Sequence, residues 1–110
     1  MIRLGDMRHR VTILGPPDPA HTDEIGQPSG DYVPVTERWA EVRDLSGRRL
    51  WAAQQVHQEA RSEVRIRWTP LVTEGMRIQH GDRILEIIGA PADPDGLRRE
   101  LVCTCREVKR

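Results

Sequence analysis

The chain has no phenylalanine and a single tyrosine among its 110 residues, so any aromatic contribution to a core falls to three tryptophans. It carries no net charge either, because 17 basic residues balance 17 acidic ones. That balance excludes a global pull toward nucleic acid or an anionic membrane, and any contact with DNA has to be local. It also removes the self-repulsion that holds monomers apart, which permits close homotypic packing without proving it. No run approaches the roughly 20 apolar residues of a membrane helix, and the opening Met1-Ile2-Arg3-Leu4-Gly5-Asp6 lacks the apolar stretch of a signal peptide. The expectation is a soluble chain of the cytosol with no membrane partner.

The chemistry of catalytic and metal sites is equally scarce. Cys103 and Cys105 lie two apart on an expected strand and face the same way. A bridge between such close neighbours is strained, and a reduced pair suits the cytosol. Structural zinc needs four ligands, but there is no second cysteine pair, and His9, His21, His57 and His80 are scattered over a strand, a loop, a helix and a hairpin. The cysteines therefore read as small apolar strand residues. Asp93-Pro94-Asp95-Gly96 has the start of a calcium loop without its later positions or distal Glu, and fits turn chemistry better. Ser29, Ser46 and Ser62 have no nucleophile-elbow context, and Gly26 and Gly30 do not lead into a Lys-Ser/Thr phosphate loop. No catalytic residue, metal site or cofactor is expected, and the chain does not read as an enzyme.

What the sequence does contain is a set of short apolar segments. Hydrophobic residues make up 37% and charged residues 31%. We read one domain over residues 1–110, with a core of Ile, Val, Leu and Trp that buries about 65% of the unfolded surface, leaving partners to supply part of the stability. Arg8 to Leu14 alternates into a first strand, and Gly15-Pro16-Pro17 stops it. From Gly15 to about Asp31 runs a long loop with four prolines and three glycines. Loops above about 12 to 15 residues are either functional or flexible. A second strand is expected from about Thr36 to Leu45, with Ala40 and Val42 on one face and Trp39, Glu41 and Arg43 on the other, packed on both sides. Ser46 is placed to cap a helix over about Gly47 to Glu59, whose thin stripe of Leu50, Ala53 and His57, flanked by Ala52 and Val56, is expected to dock on the sheet.

Residues 63–69 alternate most cleanly, with Val64, Ile66 and Trp68 inward and Arg65 and Arg67 outward. Met76 to His80 alternates again, and His80-Gly81-Asp82-Arg83 reads as a hairpin into Ile84 to Ile88. A Pro- and Asp-rich loop follows, and a last strand spans about Arg99 to Val108. The fold expected is mainly β: a small six-stranded barrel or sandwich, one helix after the second strand, and a long loop between strands 1 and 2.

Two surface readings stay open on the residues alone. Arg8, Arg10, Arg65 and Arg67 project as a basic patch, or pair with acidic neighbours, and the stacking platforms of a single-strand-binding barrel are missing. Trp51 lies one residue off the helix stripe, as an interface anchor or as a lid on a small core.

The order and spacing of several fragments resemble the phage head closure proteins, also called head-tail joining or stopper proteins. They are Arg8-His9-Arg10-Val11-Thr12-Ile13, Trp39-Ala40-Glu41-Val42-Arg43 running through Leu45-Ser46-Gly47-Arg48, Ala52-Ala53-Gln54-Gln55-Val56, Asp93-Pro94-Asp95-Gly96, Arg99-Glu100-Leu101 and Cys105-Arg106-Glu107. The resemblance spans nearly the whole chain. It implies a virion protein, made and assembled in the cytoplasm of a bacterial host, that forms a ring at the head-tail junction. Partners implied are further copies of itself, portal-adaptor proteins above, tail terminator or tail tube proteins below, and packaged double-stranded DNA in the channel. On this reading Pro16, Pro17, Asp18, Asp23, Glu24, Ile25 and Tyr32 belong to an interface or channel loop. Trp39, Arg48, Arg49 and Trp51 form a subunit or adaptor interface. Trp39, Glu41, Ser46, Gly47, Asp95, Gly96 and Glu100 hold the family's structural positions. A tail terminator is the alternative of the same class, and a nucleic-acid-binding barrel, marked by strongly salt-dependent DNA binding, is the alternative of another.

Overall fold

The structure is a computed structural model that describes residues 8–16 and 32–108. Six strands, β1 (His9–Gly15), β2 (Val33–Asp44), β3 (Ser62–Arg67), β4 (Arg77–His80), β5 (Arg83–Ile87) and β6 (Glu100–Val108), and one helix, α1 (Gly47–Val56), follow the expected order. The strands close into an antiparallel barrel in the order β1-β2-β3-β6-β5-β4. Closure is made by β1 against β4, with Thr12 opposite Gln79, Ile13 opposite Ile78 and Leu14 opposite Arg77. The expectation left barrel and sandwich open, and the barrel is what forms.

Period-two alternation decides which side chains go inside. Val11 and Ile13 of β1, Ala40 of β2, Val64 and Ile66 of β3, Ile78 of β4, Leu85 and Ile87 of β5, and Leu101, Cys103 and Cys105 of β6 are all buried in one core. Val72 and Met76 join it from the segment between β3 and β4. Both cysteines are free and packed as apolar residues, and burial pushes the Cys103 thiol up to about 12 and raises Cys105 as well. The outward positions of the same strands carry a ladder of charge. Arg77, Glu86 and Arg106 stand directly opposite one another across β4, β5 and β6, and Glu86 accepts from both arginines at 3.2 Å.

Turn chemistry sets the register. Gly81, at φ +61°, takes the first central position of the two-residue β4–β5 hairpin, where a left-handed residue matches the twist of the strands. Gly89, at φ +75°, has the His57 ring against its backbone, and an added Cβ would lie 2.6 Å from Nε2. That close approach ties the end of α1 to the barrel.

Several expectations need correction. β2 starts at Val33 rather than Thr36, because the register slips between Ile13 and Leu14, which leaves Val35 as an extra residue and breaks the alternation. Trp39 is 53% exposed, so the outer face of β2 is not packed. Trp68 lies beyond the end of β3 and packs half-buried at the rim of the core. The helix ends at Val56, with His57 as its C-cap, and none of its residues is buried. Docking of its stripe on the sheet fails because a closed barrel has its inner face already filled and its outer face charged. Ser46 holds the N-cap position, and its carbonyl accepts from Leu50 N–H at 3.3 Å, but its side chain makes no cap hydrogen bond. No helix of the described residues is long and apolar enough to cross a membrane.

Truncating the core and truncating the helix therefore differ in cost. In urea unfolding, Ile66→Ala and Leu85→Ala are expected to lose about 2–5 kcal/mol each. Val56→Ala on the exposed helix face is expected to change stability by no more than about 0.5 kcal/mol.

Candidate interaction surfaces

Three surfaces concentrate the polar and aromatic side chains that the core does not use. The first is a groove of about 670 Å³ where β3 leaves β2, lined by Arg10, Glu37, Arg38, Trp39, Arg67, Trp68, Thr69 and Pro70. Arg10 stands opposite Trp39 across the β1–β2 ladder, with its guanidinium 5.5 Å from the centre of the indole and 3.3 Å from Glu37. Arg98, held at φ +57° after the Asp93-Pro94-Asp95-Gly96 turn, lies 5.2 Å from the Trp68 ring. Arg38 occupies an inward position two residues before Ala40 and opposite the buried Val11. Its Nε is sealed from solvent and has no hydrogen-bond acceptor. A buried donor without a partner costs about 1–3 kcal/mol, more when charged.

The second surface is one mouth of the barrel. Alternation puts a polar residue at the terminal inward position of every strand there: His9, Asp44, Ser62, His80, Arg83 and Glu107. Arg83 bridges Glu107 at 2.9 Å and Asp44 at 2.8 Å, and the Ser62 hydroxyl donates to Asp44 at 3.0 Å. The hydrogen bonds to Glu107 and Asp44 hold Arg83 more firmly protonated, and the bond from Arg83 is the largest cause of a lowered Asp44 carboxyl. The His9 and His80 rings meet edge to face at 4.5 Å, and His80 Nδ1 is buried without a partner. Burial, then the neighbouring charges of His9 and Arg83, push the His80 imidazole below its ordinary 6.5, and Asp44 opposes the shift.

The third is α1, which leaves the barrel at the end of β2 and returns at the start of β3. Arg48, Arg49, Trp51 and Val56 are all exposed there, Trp51 at 66%. Trp39 lies five residues back along β2, about 17 Å at the rise of a strand, and belongs to the groove instead. The structure thus separates Trp39 from the Arg48, Arg49 and Trp51 group with which it was expected to act.

Of the expected loop residues, Pro17, Asp18, Asp23, Glu24 and Ile25 lie outside the described residues, and Pro16 is exposed. Tyr32 is anchored, since its hydroxyl donates to the Gly75 carbonyl at 3.1 Å and the Arg77 guanidinium lies 4.1 Å from its ring centre. Glu41 accepts from Arg43 at 2.6 Å. Gly47 opens the helix at φ +56°. Asp95 Oδ1 accepts from the Leu97 N–H at 3.0 Å, Asp93 Oδ2 from the Arg98 N–H at 3.0 Å, and Gly96 turns the chain at φ +70°. This is the turn chemistry expected of that loop. Glu100 is 4% exposed, with Arg65 at 3.7 Å and Oε2 unpartnered. Among the basic residues considered for a patch, Arg65 pairs with Glu63 and Glu100, Arg10 with Glu37, and Arg10 and Arg67 flank Trp39 in the groove. The inward Arg38 was missed, although the spacing from Ala40 and Val42 announces it. Among the described residues no three His, Cys, Asp or Glu side chains converge as a metal site.

The described residues thus form a small closed barrel with a filled interior, whose groove, polar mouth and exposed helix gather its remaining polar and aromatic side chains. The profile of the family described as phage head completion protein matches residues 2–108, and the chain belongs to that family. It is a structural component of the virion. The solution structure of protein SF1141 from Shigella flexneri 2a superposes with a TM-score of 0.69 over 96% of each chain at 27% identity. A chain of the virion of the native gene transfer agent particle shares the fold, with a TM-score of 0.62 and 21% identity over 92% of this chain and 94% of that one. No curated protein matches the chain.

The lowered His80 imidazole gives the mouth a pH signature. Below about 6.5 the unfolded chain takes up a proton that the folded one resists, so stability falls as the pH drops from there toward the folded value, and is flat above. Urea midpoints between about pH 5 and pH 8 are expected to show this slope in the parent and a flatter one in His80→Gln.

Proposed function

We propose that the chain forms a ring below the portal-adaptor complex, closes the DNA-filled capsid and presents the surface on which the tail docks. The family match over residues 2–108, which takes in every strand of the barrel, carries this reading. The geometry supports it. A ring needs two unlike patches per subunit that meet head to tail, and the barrel offers an arginine–tryptophan groove beside the middle of β2 and an exposed helix after its end. Copies of the chain, portal-adaptor proteins, tail terminator or tail tube proteins and the packaged duplex are the partners of this reading, and the head-tail junction is its place, after assembly in the host cytoplasm. The expected loop from Gly15 to about Asp31, with Tyr32 at its end, is the interface or channel loop of this reading. Closure works through shape and subunit contacts, with no catalytic step.

Electron microscopy of capsids produced with and without the chain tests the role. Tailless capsids that leak DNA are the expected result of its absence, and normally tailed particles would remove the proposal. The helix is tested by Trp51→Ala, which is expected to leave the monomer folded, by circular dichroism, and to reduce binding to purified portal-adaptor complex by tenfold or more, about the loss of a moderate hot spot. Unchanged binding assigns that contact elsewhere.

A further inference from the structure

The groove at Trp39 combines three observations that point to one kind of occupant. The first is backbone. β2 is twelve residues long, and β1 pairs with it from Val33 to Ala40, whereas β3 pairs only from Ala40 to Asp44. Over Val33 to Trp39 the side of β2 away from β1 has no ladder partner among the described residues. Every second residue of an antiparallel strand turns its N–H and C=O outward, and such an edge is a template for another strand. Pro34 and the bulge at Val35 blunt its first three residues, which is the usual protection of an edge. Thr36 to Trp39 carries neither device, and Glu37, Arg38 and Trp39 line the groove.

The second observation is charge. Arg10, Arg38 and Arg67 line the groove against Glu37 alone, which Arg10 already engages at 3.3 Å. Arg38 Nε is a buried donor with nothing to donate to. The third is that the indoles have company. Trp39 carries Arg10 and Trp68 carries Arg98, so one face of each indole is already taken by a guanidinium, while both rings line the groove.

We propose that this groove docks an extended acidic segment of a different polypeptide, which adds as a short strand beside Thr36–Trp39 and sets a carboxylate against Arg38 and Arg67. Backbone pairing supplies the alignment, and the arginines select an acidic side chain flanked by apolar ones. The occupant is a different polypeptide because the solvent-facing carboxylates on the described strands are already paired, Glu37 to Arg10, Glu41 to Arg43, Glu63 to Arg65, Glu86 to Arg77 and Arg106, and Asp44 and Glu107 to Arg83, while Glu100 is buried. The groove is formed within a single copy of the chain, whatever the place of that copy in the particle.

The test is tryptophan fluorescence of the full chain carrying Trp51→Phe, so that Trp39 and Trp68 report. The probe is a blocked pentapeptide alternating Val and Glu. Saturable binding is expected, weakened about tenfold or more when alternate peptide amides are N-methylated, when Lys replaces Glu, or when the protein carries Arg67→Met. Arg38→Met is expected to do the same, and the exposed Arg67 keeps the test valid should Arg38→Met fail to fold. Equal binding of the N-methylated or the Lys peptide overturns strand addition or acid selection respectively. Tighter binding of a short DNA duplex, lost in Arg67→Met, makes the groove a nucleic-acid surface and overturns the proposal. Tighter binding of a synthetic peptide of residues 17–31 overturns the foreign occupant in favour of the chain's own segment.

Discussion

The pairing of β1 with β4 is the constraint from which the rest follows. Three residue pairs, Thr12 with Gln79, Ile13 with Ile78 and Leu14 with Arg77, turn an open six-stranded sheet into a closed barrel. Closure separates the two faces of the sheet completely. The inner face fills with aliphatic and thiol side chains, and the outer face is left to arginines and glutamates in cross-strand pairs. Exposed pairs of this kind add little stability each. Their value is that nothing sticky remains on most of the wall, so the places that depart from the pattern stand out.

Those departures lie at strand ends. β2 is longer than its neighbours and pairs with β1 and β3 over different halves, and the groove lies where it has lost β3. The strand termini at the other mouth meet as a ring of polar residues knit by Arg83. The helix hangs on the connection between β2 and β3, tied at its end by His57 against Gly89 and by Gln54 to the Ala60 carbonyl. A chain with few aromatics spends all three of its tryptophans at such margins, Trp39 and Trp68 in the groove wall and Trp51 exposed on the helix.

Much of this was legible in the sequence. Alternation in residues 62–67, 83–87 and 100–108 places the strands within a residue or two, and Gly81 marks the hairpin. The helix was legible from composition, but its docking was not, because an amphipathic stripe says nothing about whether a partner face is vacant. Closure by β1 and β4, 60 or more residues apart in the chain, leaves no local signal. The start of β2 was hidden by Pro34 and the bulge at Val35, each of which reads as a break. For the surfaces, Trp51 and the arginines of α1 stood out by type, and Arg10 and Arg67 were seen as outward. Their convergence around Trp39 depends on the register of β1, β2 and β3, which only the folded chain supplies. Arg38 was overlooked since arginine on an inward position runs against expectation.

The interior of this barrel is solid. Thirteen side chains, drawn from all six strands and the segment before β4, fill it. It therefore has no lumen of its own, and anything that passes through an assembly of such subunits travels between barrels and never inside one. In the proposed ring, the bore would then be set by copy number and tilt. Substitutions in the core then act on the stability of each subunit, and those on the wall act on its contacts in the proposed ring.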